Sequence, residues 1–408
     1  MKYSQEDFLG ALNLDTVHEA FFDFYEESMS EYESRGVFFL DDEFIESILA
    51  KYRFLTEKYD FVVRERSRVR ESELCAKYSF LLYKMLVRNH GKAKIRLTNI
   101  PKPDDIALRV DFEMAAYFAT LAFAPDMIDY YEKRGLPCQI ITDTLQDCFE
   151  DTIKLRTVTH DRDGFDDNTY FYWNQLYTNY SIIRVGVLNF EIDAIFNRKV
   201  KIFENGNGDY RIFPLESPIS QGGYIAGTAG HTDEKFTADI EESETEYIGY
   251  SVDTDKAIVT EKREALAKSE WRIALSPGDR IISVHIPTGT SLTKENCIAS
   301  YRDALVTVRN FFPEYNVKAI YCCTWLLDPQ HAEMLSEKSN IVNFGRQYKR
   351  FPVLSQGKGV FSFLFRRPYK SLDELPENTT LERRVKAHYI SGNFIYEAGG
   401  VIFEQDIK

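Results

Sequence analysis

A chain of 408 residues, 44% of them hydrophobic, exceeds what one compact domain usually holds and can bury two sizeable cores. Its formal net charge of −14, from 50 basic and 64 acidic side chains, argues against nucleic acid or an anionic membrane as the main partner, since both demand a basic footprint. The six cysteines are dispersed with no C-x-x-C pair, which argues against a disulfide scaffold or zinc ribbon, and no metal site is expected.

Helical patterns dominate the first third. Asp15 is placed to cap a helix whose Val17, Phe21, Phe24 and Met29 fall near one face. Further helices are predicted over 41–58, 71–88, 104–123, 126–134 and 142–154. Asn89-His90-Gly91 reads as a helix end with its glycine cap, and 92–98 as a connector or short strand. No apolar run reaches transmembrane length, and residues 1–7 lack the apolar core of a signal peptide, so the expected location is the cytoplasm.

The polar, glycine-containing stretch 161–168 is predicted to be a linker. It would divide a helical N-terminal domain, 1–160, from a second domain, 161–408, in which strand patterns dominate. Residues 181–192 read as one β-run, and by alternation Glu191 would share a face with Val185, Val187 and Asn189. A carboxylate on a mostly apolar face suits a general base, because burial disfavours its charged form; the blander assignment is a hydrogen-bonded residue at a sheet edge. Gly186 inside that run marks a bulge or a close approach. Asn205-Gly206-Asn207-Gly208-Asp209, between β-patterned 200–204 and 210–213, is a hairpin signal. Residues 222–245 are acidic and polar and read as a surface loop or, more sharply, a substrate lid. Weaker strands are predicted at 246–252 and 257–260, and two more at 359–366 and 393–403, with a helix at 380–388 between them.

Most of the chemistry is carried by 281–344. A strand, 281–286, ends in Pro287-Thr288-Gly289-Thr290-Ser291-Leu292, and a helix follows over 293–312. Ile298, Tyr301, Leu305, Val308 and Phe312 form one apolar stripe, Thr293 is the predicted N-cap, and Pro313 ends the helix. The first N–H groups of such a helix lack partners and its dipole favours an anion there. Thr288, Thr290 and Ser291 supply hydroxyls, Gly289 allows close backbone approach, and a bound anion would offset the cost of Lys294 in the first turn. An ordinary capped strand-to-helix loop has the same ingredients, and Glu295 also offsets Lys294. His285, at the carboxyl end of its strand, is positioned to act as a general base near neutral pH. A second apolar strand, 317–327, carries Cys322 and Cys323, which are expected to pack; Asp328-Pro329 after it is expected to start a helix.

The combination Arg184-x-Gly186-x-Leu188-x-Phe190-Glu191, Val284-His285-Ile286-Pro287-x-Gly289, Trp325-Leu326-Leu327-Asp328-Pro329 and Ser339-Asn340-Ile341 resembles the bacterial acyltransferase-domain-containing proteins. That family pairs a helical N-acyltransferase-type N-terminal domain with a GNAT-like C-terminal domain. The resemblance implies an α+β fold, in which a mixed β-sheet domain flanked by helices follows the helical domain. It implies that 281–286 is the fourth strand of a GNAT core, that the helix after Thr293 receives the pyrophosphate of acyl-CoA or acetyl-CoA, and that 317–327 is the fifth strand, splayed to admit the pantetheine arm. The expected activity is acyl transfer from CoA to the amine of a small molecule or peptide. His285 or Glu191 would act as base, and Thr288, Gly289, Thr290, Ser291 and Lys294 would hold the cofactor. The helical domain would serve as lid, substrate platform or homodimer surface. Ile286-Pro287-Thr288-Gly289-Thr290-Ser291 departs from the Arg/Gln-x-x-Gly-x-Gly/Ala loop usual in GNAT enzymes, which fits a second reading, a GNAT-like module that binds a ligand or partner without catalysis. A third is a thiol-based acyl carrier or hydrolase using Cys322 or Cys323.

Overall fold

A computed structural model describes residues 10–12, 17–155, 162–365 and 369–407, and the chain divides into two units, Met1–Arg184 and Val185–Lys408. The Asp15 cap, the boundary predicted at 160/161, and Arg366 at the end of the predicted strand 359–366 lie outside the described residues.

The first unit contains α1 (Tyr25–Arg35), α2 (Asp42–Leu49), α3 (Tyr59–Glu71), α4 (Glu73–Asn89), α5 (Ile106–Leu121), α6 (Ala124–Lys133), α7 (Cys138–Phe149), a short antiparallel pair β1 (Ile153–Leu155) and β2 (Asp163–Phe165), and α8 (Asp167–Thr178). Local chemistry sets several ends: the Ser72 side chain accepts from Cys75 N–H, that of Asp105 accepts from Leu108 N–H, and Gly91 takes φ +71° beyond α4. Phe21, Phe24 and Met29 are buried as the stripe predicts, although Glu19–Phe24 winds as a 3₁₀ turn capped by His18. Two helices escape the sequence reading. The charge-rich α3 hides its apolar residues Phe61, Val62 and Val69, and it buries Arg66 against the carbonyls of Asp41 and Asp42 at 3.2 Å each. The α8 helix takes in the end of the predicted linker and the stretch before the 181–192 run, and its Asp167 is buried in a 2.5 Å ion pair with Lys102.

The second unit is built on a mixed sheet. Its strands are β4 (Leu188–Glu191), β13 (Ile282–His285), β14 (Ile320–Thr324), β15 (Lys349–Pro352) and β16 (Ala398–Ile402), in the order β15-β16-β14-β13-β4, and β3 (Ile182–Val185), across whose end the division falls, precedes β4 in the chain. β13 and β14 run parallel, and α9 (Lys294–Phe311) connects them. Between β4 and β13 the chain inserts β5 (Val200–Asn205), β6 (Tyr210–Pro214), β7 (Ser217–Ser220), β8 (Glu234–Ala238), β9 (Glu241–Glu242), β10 (Glu246–Asp253), β11 (Ile258–Ala267) and β12 (Trp271–Leu275), paired antiparallel in small sheets. Phe196, Ile202, Leu275, Tyr321, Phe351 and Val401 belong to one buried core that joins the insertion to the main sheet. Gly399 in β16 is obligatory, because a Cβ there would collide with the Phe351 ring.

Four expectations are corrected here. The run 181–192 is not one strand but two, with a tight turn at Gly186-Val187, so Glu191 keeps Asn189 on its face but not Val185 or Val187. Residues 222–245, read as loop or lid, contain β8 and β9, which pair with β7 and β10. Phe361–Phe365, expected in a strand, is a wide helical turn that with Val360 packs into the cluster around Trp325. Asp328 does not begin a helix, since α10 (His331–Met334) starts three residues later with Gln330 as its cap. The remaining helices, α11 (Asn340–Gly345) and α12 (Thr380–Ile390), include the predicted 380–388, held by a Thr379/Glu382 capping box.

Candidate functional site

The parallel ladder between β13 and β14 is short. It pairs Ile282 with Ile320 and Ser283 with Tyr321, and no further, although β13 runs on to His285 and β14 to Thr324. Past that point the Cys322 thiol donates to the Val284 carbonyl at 3.6 Å, where a ladder bond would otherwise lie. Burial pushes this thiol's pKa well up, so Cys322 is a packing residue with a hydrogen bond and no thiolate nucleophile.

On its other side β13 pairs antiparallel with β4, placing Ser283 opposite Glu191 and His285 opposite Asn189. Ser283 and His285 share a face, so Glu191 is the diagonal neighbour of His285 on that face. The two meet: His285 Nε2 lies 3.0 Å from Glu191 Oε2, with side chains 28% and 24% exposed. With the carboxylate accepting from Nε2–H, the neutral ring carries its lone pair on Nδ1, a tautomer assigned from this hydrogen bond.

The loop after β13 leads into α9, which begins and ends within one residue of the prediction. Thr293 caps it by accepting from Asn296 N–H at 3.3 Å. Gly289 takes φ +78°, a conformation that favours glycine. Thr290 donates its hydroxyl to Pro287 O at 2.6 Å, closing the turn. Thr288, Gly289, Ser291 and Lys294 are exposed, and among the described residues Lys294 forms no ion pair. Among the described residues the N–H groups of Lys294 and Glu295 find no acceptor, leaving the orphan donors that an anion needs. Glu295 in the same turn works against it. The helix is seated by Ser300, whose Oγ accepts from Val187 N–H at 3.0 Å and stands 2.5 Å from where a Gly186 Cβ would be. That close approach explains Gly186.

Thus His285 and Glu191 are brought together, and Thr288 to Lys294 follow directly from the same strand. Sequence reasoning missed what Cys322 does at the end of the ladder, because only the pairing register reveals it.

A mixed sheet with a short parallel pair, joined by one helix with an open N-terminus, defines the GNAT type of α+β fold. The chain belongs to the family of the GNAT-like C-terminal domain, whose sequence pattern matches residues 182–402. No curated protein matches it. Among solved structures it is similar to an acyltransferase in complex with decanoyl-CoA and teicoplanin, at TM-score 0.61 and 17% identity over 98% of this chain and 99% of that one. An acyltransferase in complex with CoA and 10C-teicoplanin matches at TM-score 0.59 and 17% identity over the same shares. At such identities the likeness is one of fold. Among the described residues no helix is long and apolar enough to cross a membrane.

Proposed function

We propose that this protein is an acyl-CoA-dependent N-acyltransferase acting on the amine of a small molecule or peptide. The observation that carries the reading is the His285–Glu191 hydrogen bond at the end of β13, beside a parallel pair that stops after two positions. The fold shared with acyltransferases crystallised with CoA and acyl-CoA supports it. In this reading Thr288, Gly289, Thr290, Ser291 and Lys294 hold the CoA pyrophosphate through the orphan N–H groups and hydroxyls at the start of α9. The amine attacks the thioester carbonyl directly; the C–N bond forms, the C–S bond breaks, and CoA leaves as thiolate. His285 takes the amine proton, directly or through a water, and Glu191 holds the ring and balances the imidazolium charge. Backbone N–H groups where β13 and β14 part stabilise the oxyanion. No covalent enzyme intermediate is needed, so the buried Cys322 has no part in the chemistry.

The test is a thermal-shift titration with free CoA, acetyl-CoA and longer acyl-CoAs, followed by an amine screen. A ligand at about a hundred times its Kd adds roughly 2.7 kcal/mol, which moves the midpoint by a few degrees. A shift lost in Lys294→Glu supports the assignment. If no CoA species moves the midpoint, the reading fails, and the departure of Ile286–Ser291 from the usual pyrophosphate loop then favours a GNAT-like binding module without catalysis.

A further inference from the structure

The turn after β14 walls a cavity of about 310 Å³ that shares no lining residue with His285, Glu191 or the 288–294 loop. Its wall holds three unusual groups. The first is Arg350 of β15, which is 8% exposed. Its Nε donates to Thr254 O at 3.2 Å and its Nη2 to Asp255 O at 2.8 Å, so two backbone carbonyls clamp the guanidinium. Among the described residues no carboxylate lies within 4.0 Å of it and Nη1 donates to nothing. The second is Gly345, at the end of α11. A Cβ there would stand 3.6 Å from Arg350 Nη1, so the missing side chain leaves room beside the one uncommitted nitrogen. The third is His331, 1% exposed. Its Nε2 bonds Trp325 O at 2.9 Å, while Nδ1 is buried with no partner. A buried acceptor without a protein donor is costly to a fold unless a water or a ligand supplies one.

Asp255 and Asp328, both lining the cavity, and Asp253 offset part of the Arg350 charge, but among the described residues none pairs with it within 4.0 Å. Asp328 faces the cavity too, but its carboxylate is spent on Gln330 N at 2.9 Å, Gln330 Nε2 at 3.1 Å and Tyr396 N at 2.5 Å. Arg346, at the rim, adds a second guanidinium, paired with Glu337. Burial, with Arg350 and His388 nearby, lowers the His331 pKa to about 4, so the ring stays a neutral acceptor.

We propose that this cavity binds a small ligand bearing an oxyanion, carboxylate or phosphate, gripped by Arg350 Nη1, with an adjacent O–H or N–H of the ligand donated to His331 Nδ1. The site stands independently of the acyl-transfer reading. It is tested by isothermal titration of the full chain with glycolate, acetate and inorganic phosphate at millimolar concentration. Saturable binding of glycolate or phosphate is expected, with acetate weaker because it lacks the donor; the stronger of the first two names a hydroxy-carboxylate or a phosphorylated ligand. Arg350→Lys should weaken binding by roughly tenfold or more, the loss of a charge-assisted hydrogen bond. Because Arg350 also holds the β10–β11 turn, Gly345→Ala is the second variant. Its methyl meets no atom closer than 3.6 Å, so it folds, but it narrows the cavity beside Nη1 and should weaken binding several-fold. Absence of saturable binding by all three probes, or affinity unchanged in Gly345→Ala, overturns the proposal; acetate binding as tightly as glycolate removes His331 from it.

Discussion

The segments that follow β13 and β14 start from equivalent places, the carboxyl ends of two parallel neighbours, and end with opposite character. After β13 the chain stays at the surface: Thr288, Gly289 and Ser291 are exposed, and among the described residues two N–H groups of α9 are left without acceptors. After β14 it turns inward. Trp325 and Leu327 are buried, Asp328 is 3% exposed, and its oxygens take three N–H donors. Ligands in open α/β sheets are received at strand carboxyl ends. The difference shows that burial decides which polar groups remain to receive them. Polar groups at the β13 end stay available, whereas those at the β14 end mostly hold the fold together, leaving His331 Nδ1 and Arg350 Nη1 over.

This contrast can be broken by substitution. The largest effect is expected at the β13 end, where His285→Ala should lower turnover by about 10²–10⁴-fold at saturating acyl-CoA without changing the melting temperature. Steady-state kinetics beside a melting curve checks it, and an equal loss of stability would move His285 into the structural class. At the β14 end Asp328→Ala should do the reverse. It strips an acceptor from two backbone N–H groups and should cost about 3 kcal/mol in chemical denaturation.

The same pair of buried residues sharpens the comparison through pH. Burial raises the Asp328 carboxyl from 3.8 to about 6 and lowers the His331 ring from 6.5 to about 4. Arg350 acts on both, and His388 on His331, in each case less than burial does. Between those values the native Asp328 keeps a proton that the unfolded chain has lost, so its contribution falls as pH rises through about 6. His331 works the other way: the unfolded ring binds a proton that the native ring refuses until about 4, so its contribution falls as pH drops. The two slopes oppose each other over the shared window. Denaturation midpoints across that window should therefore show a steeper fall with rising pH in His331→Gln than in the native chain, and a rise with pH in Asp328→Asn.

Smaller effects close the series. Lys294→Glu should weaken CoA binding by about tenfold, with little effect on stability, since Lys294 is exposed and among the described residues makes no ion pair. Gly345→Ala, at the end of α11, should raise stability by about 0.5–1 kcal/mol even as it narrows the cavity.

Local chemistry made part of this molecule readable in advance. The bounds of α9 follow from Thr293, the apolar stripe and Pro313, all within the helix or at most two residues outside it, and the 205–209 hairpin from its own Asn and Gly residues. Burial of Phe21, Phe24 and Met29 was visible in their spacing. The candidate residues His285 and Glu191 could be named singly, but their meeting spans 94 residues and depends on the β13–β4 register. Gly186 was marked in the sequence as a bulge or a close approach, but the turn that splits the run in two was not, because the Ser300 hydroxyl that crowds it arrives from α9. Asp328 looked like a helix cap because Asp-Pro is a local signal, whereas its backbone partner Tyr396 lies 68 residues on. Caps, turns and periodicity act between neighbours and so are written in the chain; which strand ends open toward ligand and which close on themselves was settled only when distant segments packed and removed water from one and not the other.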